Sequence, residues 1–471
     1  MEGRSNSCGG GGGVAVVVVP LPAQGHLNQL LQLCCLISSH GLQAHYLGFS
    51  IHNQQARVRA NGLDPNTIAK VHFHDLPTPP DLLCPSPDPT ALIKFPSHLL
   101  PVWEAASQHL RHPVAAVLRE LASRSRRVVV VHDHGMSSIV QDAASIGNAE
   151  SYCFNCISAF SLLAFAYQRT PEKPFPIEEE LWGKMPGLED SMSPDLRRFG
   201  AAQQEFFNHR AGNLHNTSRM IEGPFPDILA RDECSQGRKQ WFIGPILPTN
   251  LSNSTPKEVS NYPCLDWLDR QPENSVLYVS FGTMTSVSDV QAHELAMGLQ
   301  ESKQRFIWVL RDADKGNIFS GKPRTIELPE GFEEMVKGTG LVVREWAPQP
   351  EILAHPSTGG FMSHCGWNSC IESITHGVPI AAWPMHSDQP SNAFLVANIL
   401  KTGAMVREWA DRKELVKSST VAGVVRKLMA SEEGDEMRRR AQELGENVRK
   451  SVQEGGASRM ELESFIAHIT R

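Results

Sequence analysis

The stretch Trp346–Gln389, WAPQPEILAHPSTGGFMSHCGWNSCIESITHGVPIAAWPMHSDQ, decides the fold. Gly359, Gly360, Phe361 and Met362 read as a short buried strand entering a tight turn at His364, Cys365 and Gly366. From Asn368 onward, apolar residues at Cys370, Ile371 and Ile374 predict a helix, and Gly377 stands where it would stop. Val378–Trp383 reads as the next buried strand. Strand, turn and helix in this order aim free backbone N–H groups at the space above the strand, a setting that favours phosphate. His364, Asn368 and Ser369 add side-chain donors, and Glu372 lies one turn on, where a carboxylate would accept from ribose hydroxyls. Trp346 offers a flat face for a base, and such stacking is worth roughly 1–3 kcal/mol. A lone Trp or His is more often simply packed. Here the plate, the turn, the carboxylate and the Asp388-Gln389 pair occur together, which points to a nucleotide-sugar site.

The other end of the chain carries the second signal. Val14–Val19 is a β-branched and Ala run, the mark of a central parallel strand. Pro20–Gly25 reads as a loop, and His26 is expected to open a helix through Ser39, ended by Gly41. A His at the carboxyl end of a first strand stands where open α/β sheets bind ligands, and near neutral pH it suits a general base. His26 alone also reads as an ordinary helix-start residue. Its candidate partner is Asp133, in His132-Asp133-His134 at the end of the predicted strand Val128–Val131. Such a carboxylate would orient the imidazole. The triplet alternates sides in extended chain, which disfavours a metal site. The segment Val276–Thr283 predicts a strand and turn, with Thr283 either reaching phosphate or only turning the chain.

These motifs resemble the signature of plant UDP-sugar-dependent glycosyltransferases over almost the whole chain. The resemblance implies a GT-B fold: two Rossmann-like doubly wound α/β domains facing across a cleft. It implies an acceptor-binding domain at 1–244, a linker at 245–263 and a UDP-sugar-binding domain at 264–471, whose last helix returns to the first domain. Position by position, it implies that Trp346 stacks on uracil and the Ala347 backbone meets its edge. Gln349 and Glu372 hold the ribose. His364, Asn368 and Ser369 hold the diphosphate, at the turn that includes Gly366, with Thr283 near the phosphates. Trp367, Asp388 and Gln389 contact the sugar. His26 and Asp133 form the catalytic pair, and the configuration inverts to a β-glycoside. Gln389 favours glucose without excluding xylose. No cofactor or metal is implied beyond UDP-glucose as co-substrate. His386–Gln389 and Phe73–Pro77 resemble zeatin O-glycosyltransferases most, so the acceptor expected is a zeatin-type cytokinin, cis-zeatin favoured. Rival readings are a flavonoid or other phenol as acceptor, UDP-xylose as donor, and a silent hormone-binding protein; the last expects a broken His26 or Asp133, and both are intact.

Composition is consistent with this. A chain of 471 residues suits two domains. A net charge of −7, from 44 Lys+Arg against 51 Asp+Glu, argues against nucleic acid as a partner. No run of about 18 apolar residues exists to span a membrane, and the start of the chain reads as lacking a secretory signal. The 10 Cys lack metal-type spacing. A cytoplasmic monomer with packed, reduced thiols is expected. The glycine run precedes the first strand and is no dinucleotide fingerprint. Leu76–Pro89 is Pro-rich and predicts a loop, while Ala159–Tyr167 predicts an apolar helix that lines the acceptor site in similar enzymes. Met437, Ala441, Leu444 and Val448 predict one apolar helix face, and Ser458–Glu461 a capping box for the last helix.

Overall fold

The computed structural model describes residues 12–60, 62–88, 91, 93–167, 177–183, 185, 187, 191–231, 237–248, 262–320 and 326–471. Val14–Val19 (β1) is buried from end to end. It pairs in parallel with Gln43–Phe49 (β2) on one side and Arg127–Asp133 (β4) on the other. His72–Leu76 (β3) adds the outer edge beyond β2. Ala149–Asn155 (β5), Arg210–His215 (β6) and Lys239–Phe242 (β7) extend the sheet beyond β4. The order is β3-β2-β1-β4-β5-β6-β7.

The second sheet repeats the plan. Its strands are Val276–Ser280 (β8), Arg305–Val309 (β9), Gly340–Val343 (β10), Thr358–Ser363 (β11), Ile380–Ala382 (β12) and Gly403–Met405 (β13), in the order β10-β9-β8-β11-β12-β13. All its pairings are parallel. Strand order therefore reverses twice in the molecule, at β1/β4 and at β8/β11. Such switch points, at the carboxyl ends of the strands, are where open α/β sheets bind ligands. His26 follows β1, Asp133 ends β4, Thr283 follows β8 and His364 follows β11. The doubly wound GT-B architecture expected from the sequence is the one observed.

Several local expectations shift. The first helix spans Gln24–Ser39, so His26 lies within its first turn. Strand β3 starts only at His72, because the amides of Lys70 and Val71 close turns onto Thr67 O and Ile68 O. The last helix, Ala457–Ile469, begins after Gly456 with no side-chain cap. The expected capping box is therefore wrong: Ser458 lies inside the helix, and its hydroxyl meets Ser451 Oγ at 3.1 Å. That helix buries Leu462, Phe465 and Ile469 in the core of the first sheet. Its terminal carbonyls are taken by arginines before and on β4: Arg127 Nη1 donates to His468 O at 3.0 Å, and Arg126 Nη2 to Thr470 O at 2.7 Å. Of the expected linker, residues 249–261 lie outside the described residues. Among the described residues, no helix is long and apolar enough to cross a membrane.

Candidate active site

One cleft between the sheets is lined by His26 and by all twelve residues expected at the donor: Thr283, Trp346, Ala347, Gln349, His364, Gly366, Trp367, Asn368, Ser369, Glu372, Asp388 and Gln389. Asp133 stands directly behind His26. Its Oδ2 lies 2.7 Å from His26 Nδ1, and its Oδ1 accepts the Gly135 N–H at 2.9 Å. Burial alone would lower the His26 pKa, but the charge and hydrogen bond of Asp133, with a further contribution from Asp388, move it up overall. Burial acts the other way on Asp133, yet His26, the Gly135 amide and the Cys156 thiol pull its pKa down. The pair is built to hold a proton on His26.

The flanking histidines point elsewhere. His132 Nδ1 bonds its neighbour's carbonyl at 2.9 Å, and the His134 ring packs edge-on to Phe207 at 4.3 Å. Burial lowers both to about 4. Cys156 completes a compact set with His26 and Asp133. Its Sγ is 3.3 Å from Asp133 Oδ2. Burial and that carboxylate drive the thiol pKa well up, so it acts as a hydrogen-bond donor to Asp133.

The turn expected to hold phosphate follows β11. Cys365 takes a left-handed φ of 62°, Gly366 precedes the helix Trp367–His376, and Gly377 ends it at φ 71°. Two glycines make a slot for the His364 ring: a Cβ on Gly282 or on Gly366 would lie 2.5 Å from His364 Nε2. Burial drags His364 to about 4, leaving a neutral imidazole. Asn368 Nδ2 donates to Gly25 O at 2.8 Å, one residue before His26. Gln349 Nε2 donates to Ser369 Oγ at 2.9 Å and to Glu372 Oε2 at 2.7 Å, which links the expected ribose and phosphate residues. Burial raises Glu372 to about 7.

Two expected sugar residues are partly committed elsewhere. The Trp367 indole N–H is spent on Asn216 O at 2.8 Å, leaving its ring and backbone for a ligand. Gln389 Oε1 accepts the amides of Met385 and His386 at 2.9 and 3.0 Å, and its amide nitrogen lies 3.2 Å from His386 Nε2. Burial raises Asp388, while Asn392 and His26 hold the rise down.

The sequence reading missed residues from both halves. The Arg59 guanidinium lies 4.4 Å over the Trp346 ring. It pairs with Asp314 in the other half and donates to Gln24 Oε1 at 3.0 Å. Arg311 also reaches Asp314, at 3.3 Å. No local motif marks Arg59, since its partner is far away in sequence.

Two doubly wound sheets, each with its switch point opening on one cleft that carries a phosphate turn, an aromatic plate and a His–Asp pair, define a glycosyltransferase of the GT-B type. Residues 12–248 match the glycosyltransferase N-terminal domain family, and residues 222–432 match the UDP-glucoronosyl and UDP-glucosyl transferase family. Zeatin O-xylosyltransferase of Phaseolus vulgaris is 49% identical, over 96% of this chain and 97% of its own. Zeatin O-glucosyltransferase of Phaseolus lunatus is also 49% identical, over 96% of each. UGT2 of Phytolacca americana, solved with UDP-2fluoro-glucose and pterostilbene, aligns at a TM-score of 0.77 and 27% identity, over 98% of this chain and 100% of its own. The chain belongs to the UDP-glycosyltransferase family and is an enzyme of that class.

Proposed function

We propose that the enzyme transfers glucose from UDP-glucose to the side-chain hydroxyl of a zeatin-type cytokinin, with inversion, giving a β-O-glucoside. The observation that carries the chemistry is the His26–Asp133 pair, 2.7 Å apart, opening on the same cleft as the phosphate turn. In this reading Trp346 and Ala347 take the uracil, and Gln349 and Glu372 take the ribose. His364, Asn368 and Ser369 take the diphosphate, with Thr283 beside it. Trp367, Asp388 and Gln389 take the sugar. His26 removes the acceptor's hydroxyl proton as the oxygen attacks the anomeric carbon from the face opposite UDP, and Asp133 stabilises the imidazolium. The leaving diphosphate meets the N-terminus of the helix Trp367–His376, a fixed positive pole where negative charge develops, and no metal is needed.

The acceptor class rests on the two bean relatives, both named for zeatin. Their equal identity supports a second reading, UDP-xylose as donor, since one is named a xylosyltransferase. The experiment is mass spectrometry of products from UDP-glucose and UDP-xylose in turn, against trans-zeatin, cis-zeatin, dihydrozeatin and a flavonol, with and without EDTA. A hexose added to a zeatin supports the proposal, and the isomer pattern names the acceptor. A pentose in its place moves the donor to UDP-xylose. Sugar on the flavonol alone discards the cytokinin, and loss of activity in EDTA discards the metal-free mechanism.

A further inference from the structure

Asn392 lies one turn after Asp388, on the helix Gln389–Phe394, and is fully buried. Its amide makes four hydrogen bonds. Nδ2 donates to Asp388 Oδ2 at 2.7 Å and to Cys365 O, in the phosphate turn, at 3.0 Å. Oδ1 accepts from Ser158 Oγ at 2.8 Å and from Ser161 Oγ at 2.9 Å. Both serines belong to the other half. Ser158 directly precedes the helix Ala159–Tyr167, and its Oγ accepts the Ser161 N–H at 3.0 Å. The network leaves one orientation for the amide. Flipped, its oxygen would face a carboxylate and a carbonyl, two acceptors, while its NH₂ would lose both. Buried polar networks satisfied to this degree are rigid and set a unique arrangement.

We infer that Asn392 is a positioning residue for the donor sugar: it fixes the Asp388 carboxylate in register with the phosphate turn and ties both to the start of the helix Ala159–Tyr167. The inference rests on the sugar-holding role of Asp388 proposed above. Asp388 is flanked by a left-handed residue, Ser387 at φ 57°, and among the described residues its held oxygen has one side-chain hydrogen-bond partner, Asn392. Without the amide, the carboxylate is free to turn away from a sugar. Uracil and ribose are held by other residues and the Asn392 amide reaches the phosphate turn only through Cys365 O, so UDP alone should lose less affinity than UDP-glucose.

The test is calorimetry of UDP and UDP-glucose on the full chain, in wild type, Asn392→Ala, Asp388→Ala and the double variant. Loss of a hydrogen bond to a charged group predicts about a tenfold fall in the affinity of UDP-glucose relative to UDP for each single variant. The double variant should fall no further than Asp388→Ala, because the two residues act as a unit. If Asp388→Ala leaves the ratio unchanged, the sugar role of Asp388 fails and the inference with it. If Asp388→Ala lowers the ratio and Asn392→Ala does not, only the positioning role fails. Equal losses of UDP and UDP-glucose in Asn392→Ala would make it a structural residue and overturn the inference. Ser161→Ala removes one of the two hydroxyls and spares the Asp388 bond, so it keeps the test open should Asn392→Ala fail to fold. It should lower the ratio in the same direction, by about two- to threefold, as one shared neutral hydrogen bond is lost, and an unchanged ratio counts against the tie between the halves.

Discussion

Replacing Asp133 by Asn keeps the shape behind His26 and removes the charge. The Gly135 N–H, 2.9 Å from Asp133 Oδ1, needs an acceptor, so the new amide oxygen stays there. The amide nitrogen then faces His26 Nδ1, where Asp133 Oδ2 had been 2.7 Å away. A donor at that point forces Nδ1 to accept, and the ring proton moves to Nε2, the atom required to take the acceptor's proton. Two losses follow. Hydrogen bonds to charged groups are worth about 1.5–3 kcal/mol, which costs roughly 10- to 150-fold in rate when the imidazolium loses its carboxylate. The wrong tautomer takes the total to about 10³–10⁴ in kcat. The pKa sign is also set. Asp133 is the leading upward influence on His26, against the downward pull of burial. The base is active when neutral, so the acid limb of the kcat/KM profile lies above the ordinary histidine value in wild type and should move to lower pH in Asp133→Asn. UDP binding should be unchanged. Retention of a third or more of kcat, or an acid limb that stays put, would refute the pairing as a catalytic one.

His26→Ala should lower turnover by about 10²–10⁴ while UDP still binds; full activity in steady-state assays would remove it from the base role. Burial holds Glu372 at about 7, and a ribose diol donates more strongly to its ionised form than to the protonated acid, which keeps fewer acceptor sites. Donor KM should therefore rise as pH falls through 7, and Glu372→Gln should flatten that slope while raising KM throughout; a slope that survives in the variant would reassign the titration. Arg59→Ala removes a guanidinium that joins Gln24, Asp314 and the Trp346 ring across the cleft. KM for donor and acceptor should rise together, by roughly 2- to 30-fold, and a rise confined to the donor would make Arg59 part of the base plate rather than a fastener between halves.

Much of the site was legible because its residues are local in sequence. The turn Ser363–Gly366 and the helix after it lie in one run, and both glycines that cradle His364 belong to segments singled out for their turns. β1 and the core of β4 were legible because central parallel strands are apolar on both faces. β5, β6 and β7 went unread because AESYCFN, RAGNLH and KQWF mix polar residues with apolar ones. Their polar groups are satisfied across the sheet, as in the bond of His215 Nε2 with Gln240 Oε1 at 2.8 Å, and such pairing exists only once the strands are adjacent. Arg59, Asp314 and Asn392 were missed for the same reason, since each acquires its meaning from a partner in the other half.

That distribution bears on how the cleft works. Residues expected at the donor also fasten the two halves: Asn368 holds Gly25 O, and Trp367 holds Asn216 O. A diphosphate at the helix start would offer Asn368 an anionic acceptor, and hydrogen bonds to ionised groups are roughly twice as strong as neutral ones. Donor binding would then compete with Gly25 O, in the residue preceding His26, for the Asn368 amide. The Trp367 bond to Asn216 O, the Arg59 pair with Asp314 and the serine bonds to Asn392 would keep the halves joined while Gly25 is released. On this account the base gains freedom to meet the acceptor only after the donor is seated, which makes donor-first binding the expected order. Product-inhibition kinetics test it: UDP should inhibit competitively against the donor and non-competitively against the acceptor. Asn368→Ala should weaken that order as well as donor affinity, and a strictly ordered mechanism that survives in the variant would mean that the Gly25 contact has no part in it.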